Sequence, residues 1–333
     1  MGTLGARSGA GVDLVHAGLA WVPWYVAAGL AGGLALVAVG LAAHPRLRRS
    51  TAAAVGTLRE VVVVLVLYGA WQFATSLRVG DRAAAERAGA VVAAVESALG
   101  WPAESAVQSP VLDHGWLVAF ADGYYALVHV PVFVATLVWV LWRHRPDWPF
   151  ARTTTAIVTG LCLLVQFWAV APPRMLPALH VVDTALVNGR SVYAAVPGAN
   201  ELSAMPSLHI AWAATVALLV VVCARTPWRW VALAYPVMTL WVVVVTGNHF
   251  VLDGVVAVAL LGIAAGVTLC FPSQRPRRVV RALALAAGPS GSGTAEPGAA
   301  EPGAAEPGAA EPGAAEPGTT VGPPGRAGCR ARS

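Results

Sequence analysis

Residues 229–271 read RWVALAYPVMTLWVVVVTGNHFVLDGVVAVALLGIAAGVTLCF, two apolar runs at 229–246 and 250–271 joined by a short polar junction. A helix needs ~20 mostly apolar residues to cross a bilayer's hydrocarbon, and both runs approach or reach that length. In lipid a spanning backbone must satisfy its own polar groups, so the runs read as two membrane helices meeting at one face. The junction, Thr246-Gly-Asn-His-Phe-Val-Leu-Asp253, then lies at that face with a histidine and an aspartate in it.

Outward from this pair, similar runs occupy roughly 19–43, 60–77, 116–142, 154–172 and 207–224. They predict an all-α polytopic transmembrane bundle of seven spans, with six as the nearest alternative. The first run is too long for a signal-peptide core and lacks a basic flank before it, so it reads as a retained span. Composition agrees. Of 333 residues, 57% are apolar and 12% charged, and the mean hydropathy of +0.65 exceeds what one soluble core could hide. Three regions follow: two spans and an outer loop over 1–115, a catalytic membrane core over 116–273, and a disordered cytoplasmic tail over 274–333. In that tail Glu-Pro-Gly-Ala-Ala repeats from Glu296 to Gly318 with no apolar anchor.

The net charge of +5 comes from arginines beside the spans. Anionic headgroups and membrane orientation account for them, and nucleic-acid binding is not indicated. Thirteen arginines, among them Arg48, Arg145, Arg229 and Arg278, fall in alternate connections; six, among them Arg78, Arg174 and Arg190, fall in the others. The predicted orientation has the N-terminus outside, the C-terminus cytoplasmic and the 246–253 junction on the extracytoplasmic face. Cys162, Cys223, Cys270 and Cys329 form no CxxC or Cys/His pattern, so neither a zinc ribbon nor a disulfide framework is supported. The alanine-rich stretch Asp81–Leu99 reads as a helix on the outer surface or a solvated connector.

Chemistry is concentrated in two outer segments. One runs from Ala171-Pro-Pro-Arg-Met-Leu-Pro177 through His180, Asp183 and Arg190 to Ala204-Met-Pro-Ser-Leu-His209; the other is the 246–253 junction. His249 and Asp253 are four apart, a spacing that lets a carboxylate on one helix face fix an imidazole's tautomer and free its other nitrogen as a nucleophile. Asp253 also stands next to hydrocarbon, where ionisable groups are costly and usually functional. Ser207 and His209 follow Pro206 at a helix start, where unpaired amides favour an anion. Arg174 offers a planar donor suited to phosphate oxygens.

Pro206-Ser-Leu-His209 and His249-xxx-Asp253 resemble the second and third signatures of the type 2 phosphatidic acid phosphatase superfamily. The wider pattern from about Tyr125 to Ala259 is similar to its inositolphosphotransferase branch, which includes the inositol phosphorylceramide synthases. The resemblance implies a metal-independent reaction on a lipid phosphate ester through a phosphohistidine, with no cofactor. By it, His249 is the nucleophile, Asp253 orients it, and His209 protonates the leaving alcohol and then activates the acceptor. Ser207 and Arg174 hold phosphoryl oxygens, while Asp183, Tyr125 and His129 are candidate headgroup contacts. The superfamily signature has an arginine six residues before its nucleophile, where this chain has Val243, and the first signature is not recognisable. Arg174 is the candidate for part of that missing charge. Two alternatives stay open: metal-dependent hydrolysis with His180, Asp183, His209, His249 and Asp253 as ligands, and a non-catalytic lipid-binding or transport protein.

Overall fold

The computed structural model describes residues 23–44, 51–76, 81–189 and 201–286. Arg190, the repeats and the rest of the tail beyond 286 lie outside the described residues. Twelve α-helices carry the described fold: α1 (Trp24–Ala43), α2 (Ala52–Ser76), α3 (Arg82–Ala98), α4 (Glu104–Leu112), α5 (Gly115–Leu127), α6 (His129–Arg143), α7 (Trp148–Val165), the single turn α8 (Thr184–Val187), α9 (Leu208–Cys223), α10 (Ala234–Val245), α11 (Val251–Cys270) and α12 (Arg277–Ala286). The β structure among them is one isolated parallel bridge, Val170 to Ser203. The chain is a multi-pass membrane protein. Five stretches are long and apolar enough to cross a bilayer, namely Trp24–Ala43, Ala52–Ala70, Arg145–Val165, Pro227–Val245 and Val251–Cys270.

A sixth crossing requires α5 and α6 together, and the two are bent by 46°. The sequence reading treated 116–142 as one span. Pro131 explains the difference: it has no N–H for the Leu127 carbonyl, and its ring crowds that carbonyl, so α5 ends there. Helix α9, at 16 residues, is shorter than a spanning helix. It is nevertheless central, packed by α6, α7, α10 and α11. The run expected at 154–172 also differs, because α7 starts earlier, at Trp148, and stops at Val165. Beyond it, Pro172 and Pro173 oppose helix, and Val170 pairs instead with the 202–204 backbone.

The central seam joins Val158 and Cys162 of α7, Ile210 and Ala211 of α9, Val243 of α10, and Ala257, Leu261 and Ala264 of α11. Within lipid, helices associate through close packing rather than escape from water, and small residues allow it. Gly254 is such a point, since a Cβ there would lie 3.0 Å from Leu240 Cδ1. Thr154 donates to Thr268 Oγ1 at 3.1 Å and Trp212 to Thr159 Oγ1 at 3.1 Å, adding polar ties across the seam. Helix α1 packs chiefly on α2, with Trp24 edge-on to Phe73.

At one end of the bundle Arg152 pairs with Glu60 at 2.6 Å, joining α7 to α2. There too Asp147 accepts from Arg277 N, and Arg278 caps α9 through the Val221 and Ala224 carbonyls. The segment assigned to a disordered tail from 274 therefore begins with a docked helix, α12. The Arg278 charge interacts favourably with the negative end of α9.

At the other end α3 lies across the polar loops. Its start is capped by Asp81, which accepts from Ala83 N and Ala84 N. Ala85, Gly89, Val92 and Glu96 form one buried stripe at helical spacing. Ala85 and Val92 pack with Val170, Ala171, Leu176, Ala204 and Phe250. Gly89 is required there, because a Cβ would stand 2.6 Å from Ala171 O. The stretch Asp81–Leu99 is thus a packed roof rather than a solvated connector.

Candidate active site

The loops between α7 and α9 and between α10 and α11 meet beneath α3. Helix α10 ends in a tight turn: Val243 O accepts from both Asn248 N and His249 N, at 3.0 and 3.1 Å. Gly247 takes φ +69°, a left-handed conformation that strains other residues, and a Cβ there would reach 2.7 Å from Val181 Cγ1. The Val243 side chain itself is in the apolar seam, which suits valine where the superfamily signature carries a charge.

The turn delivers His249, buried, with Nδ1 2.7 Å from Ala204 O and 3.3 Å from Asp253 Oδ2. A carbonyl only accepts, so Nδ1 carries the proton and the neutral ring keeps its lone pair at Nε2. The sequence reading set His249 and Asp253 on one helix face. In the structure His249 precedes α11, and the contact arises because Asp253, in the first turn, folds back to accept from Phe250 N at 2.9 Å. This is the carboxylate half of a capping box. Among the described residues, Asp253 Oδ1 has no hydrogen-bond partner. The shorter hold on Nδ1 is the Ala204 carbonyl, itself fixed because Ala204 N donates to Val170 O.

Across from His249 is the start of α9. Ser207 is fully buried and caps the helix by accepting from Ile210 N, while its own N–H donates to Asp253 O. The first helical bond, Ala211 N to Ser207 O, comes after Leu208 and His209, so the His209 ring leaves the first turn, where amides are still unpaired within the helix. That ring is edge-on to His249, with centroids 5.9 Å apart. Tyr125 stacks on it at 4.4 Å, and His129 lies 4.8 Å away on its other contact. His129 is buried and also stacks on Trp212, and its Nδ1 is 3.4 Å from the Tyr235 hydroxyl.

Arg174 lies beside the His249 turn. Its N–H donates to Gly247 O and Nη1 donates to Asn248 Oδ1 at 2.6 Å. Nε pairs with Asp183 Oδ2 at 3.0 Å, the Arg174 side chain being only 3% exposed, and Nη2 is 3.9 Å from Glu201. Asp183 thus faces Arg174, and it also caps α8 through Leu186 N. Asp122 of α5 holds that turn by accepting from Thr184 and Asn188.

The structure brings His249, Asp253, His209, Ser207, Arg174, Asp183, Tyr125 and His129 to this one end. His180, by contrast, is exposed at φ +53°. Among the described residues, no three His, Cys, Asp or Glu side chains are grouped to hold a metal ion. Sequence reasoning missed Asn248, the Ala204 carbonyl, Gln108 and two buried acids, Glu96 and Glu104. Gln108 bridges three elements: it donates to the Val182 and Val245 carbonyls and accepts from Val182 N, each at 2.8 Å. A glutamine and two glutamates in an otherwise small-residue stretch were the available signal.

A family model of the PAP2 superfamily matches residues 90–267. The match starts inside α3, earlier than the Tyr125 start of the motif resemblance, and takes in α4. No curated protein and no solved structure gives a significant match.

Proposed function

The chain belongs to the PAP2 superfamily, and from that membership and the site geometry we propose that it is a lipid phosphatase or phosphotransferase working through a phosphohistidine on His249. The observation that carries this is the Nδ1 anchor on Ala204 O, with Asp253 behind it, which leaves Nε2 as a fixed nucleophile. His249 Nε2 attacks phosphorus, forming the P–N bond as the bond from phosphorus to the leaving lipid or headgroup oxygen breaks. His209, whose ring lies 5.9 Å from that of His249, gives the leaving oxygen its proton. An acceptor hydroxyl, of water or of a second alcohol, then loses its proton to His209 as its oxygen bonds phosphorus and the P–N bond breaks.

Arg174 supplies the positive charge that Val243 does not, and the α9 first-turn amides together with Ser207 meet the developing negative charge. Tyr125 and His129 form the aromatic flank against which a headgroup rests, and Asp183 sets the angle of Arg174. Transfer in the manner of the inositolphosphotransferase branch is the finer reading, supported by the Ala-Pro-Pro-Arg-Met-Leu and Ala-Met-Pro-Ser-Leu-His motifs. The arginine distribution supports an extracytoplasmic site with the C-terminus cytoplasmic.

The test is turnover by purified protein on labelled phospholipids and polyprenyl phosphates with chelator present, beside His249→Ala. Chelator-resistant turnover that disappears in the variant, with a covalent phosphoryl adduct labile to acid, is expected. Phosphate or a new diester as product separates hydrolysis from transfer. Turnover indifferent to His249 defeats the reading, and loss of turnover on chelation favours the metal-dependent one.

A further inference from the structure

The roof over the site carries two buried acids with no role in the phosphohistidine cycle. Glu96, on α3, is 3% exposed and Glu104, at the start of α4, is 4% exposed. Glu96 Oε1 accepts from Leu252 N, an amide in the same first turn of α11 that presents Asp253. Glu104 is the carboxyl neighbour of Glu96 and acts on it electrostatically. Among the described residues, Glu96 Oε2 and Glu104 Oε1 have no hydrogen-bond donor. Two carboxylates can only accept, so neighbours buried without donors satisfy each other only if one keeps a proton.

We infer that Glu96 is a positioning residue for the His249–Asp253 pair: its bond from Leu252 N clips α3 onto the first turn of α11, and a proton shared with Glu104 keeps a further negative charge away from Asp253. The inference rests on the phosphohistidine reading for its effect on turnover, but the clip itself does not.

The electrostatics follow from the same contacts. Burial and the neighbouring Glu104 and Asp253 carboxyls push Glu96 up to about 8, opposed only by the Leu252 amide. These two acids are the titratable groups facing Glu96, with His249 beyond Asp253. The Arg82–Glu86 pair on α3 is exposed and more than two turns away. Near neutral pH the proton stays. As pH rises through 8, Glu96 ionises, three carboxylates crowd one turn, and like-charge repulsion loosens the clip. Stability moves the same way. The folded state keeps a proton that an unfolded glutamate releases near 4.5, so stability is highest below that pH, falls as pH rises to about 8, and then levels off.

Glu96→Gln tests this, because an amide can accept from Leu252 N, donate to Glu104 and not ionise. In the full chain in detergent, Glu96→Gln is expected to retain kcat at pH 7 within about threefold. Its alkaline limb should move up by at least about one pH unit, or vanish. Glu96→Ala, which removes the Leu252 bond and the shared proton, should lower kcat about tenfold or more with little change in KM. An alkaline limb unchanged in Glu96→Gln, in an enzyme whose turnover depends on His249, overturns the inference and leaves the proposed function standing. Turnover indifferent to His249 removes the proposed function, and the clip is then judged by thermal unfolding alone. A fall in unfolding temperature between pH 5 and 8 that flattens in Glu96→Gln upholds it, and an identical slope in both proteins refutes it.

Discussion

The two ends of the bundle use the same chemical groups and differ in how wet they are. At the arginine end, Arg152 and Glu60 pair with 27% and 24% of their side chains exposed, and Arg275 and Arg278 cap helix carbonyls from the rim. At the site end Asp253, Glu96 and Arg174 are sunk below the surface and bound to backbone or to a buried amide, with only Asp183 reaching in from the rim to Arg174. A wet ion pair is replaceable because water can take over either partner. A buried one is not, because removing one partner leaves the other with neither water nor a mate. Polar groups at the arginine end therefore tie helices together, whereas at the site end they fix the positions of particular atoms.

The sharpest break in that comparison is His209→Ala, which removes a proton carrier while leaving the apolar seam in place. The residue is half-buried, and its ring meets the rings of Tyr125 and His129. Turnover is expected to fall about 10²–10⁴-fold while unfolding shifts by no more than about 1 kcal/mol. A variant that loses fold and activity together would show His209 to be a packing residue.

Next in size is Gly247→Ala, which acts on the turn rather than on a reacting group. The added methyl meets Val181 and Arg174 at 2.7 and 3.1 Å, at a backbone φ of +69°. Strain of this kind costs about 1–3 kcal/mol, and displacing His249 by even about 1 Å lowers turnover by up to about 10²-fold. Stability measured by denaturation and kcat on the same lipid should both fall. A neutral outcome would mean that the site end tolerates movement as freely as the other.

How much of this was legible in the sequence depends on which group carries the information. Apolar runs announced the membrane helices, and Pro206-Ser-Leu-His209 with His249 and Asp253 announced where they converge. The bend at Leu127 was written in Pro131, but hydropathy averages over a single proline. The anchor on His249 Nδ1 is a backbone carbonyl, which has no residue type to betray it. Glu96 on an alanine-rich helix reads as a solvated face by pattern alone; its burial goes with the docking of α3 on Ala171, Phe250 and α11, all distant in sequence.

Asp183→Asn probes the middle of the scale. It keeps shape and the cap on α8 but leaves Arg174 with a neutral neighbour, so the guanidinium is freer to turn and its charge less compensated. Because Asp183 is a quarter exposed, stability should drop by only about 1–2 kcal/mol. KM for the phosphate ester should change more than kcat, since positioning of ground-state oxygens is what is disturbed.

The smallest effect is expected at the arginine end, from Arg152→Gln. The Glu60 pair is short, at 2.6 Å, but both partners are roughly a quarter exposed, so its loss is discounted by solvent to less than about 1 kcal/mol. Glu60 can turn to water, and α7 keeps its apolar seam and the Thr154–Thr268 bond on its inner face. Turnover should be unchanged, and the stability difference from the parent should shrink further as salt is raised. If Arg152→Gln instead lowers turnover, without loss of stability, then helix α7 transmits strain from the arginine end to the Val170–Ala204 pairing that anchors His249, and the two ends are one mechanical unit rather than two.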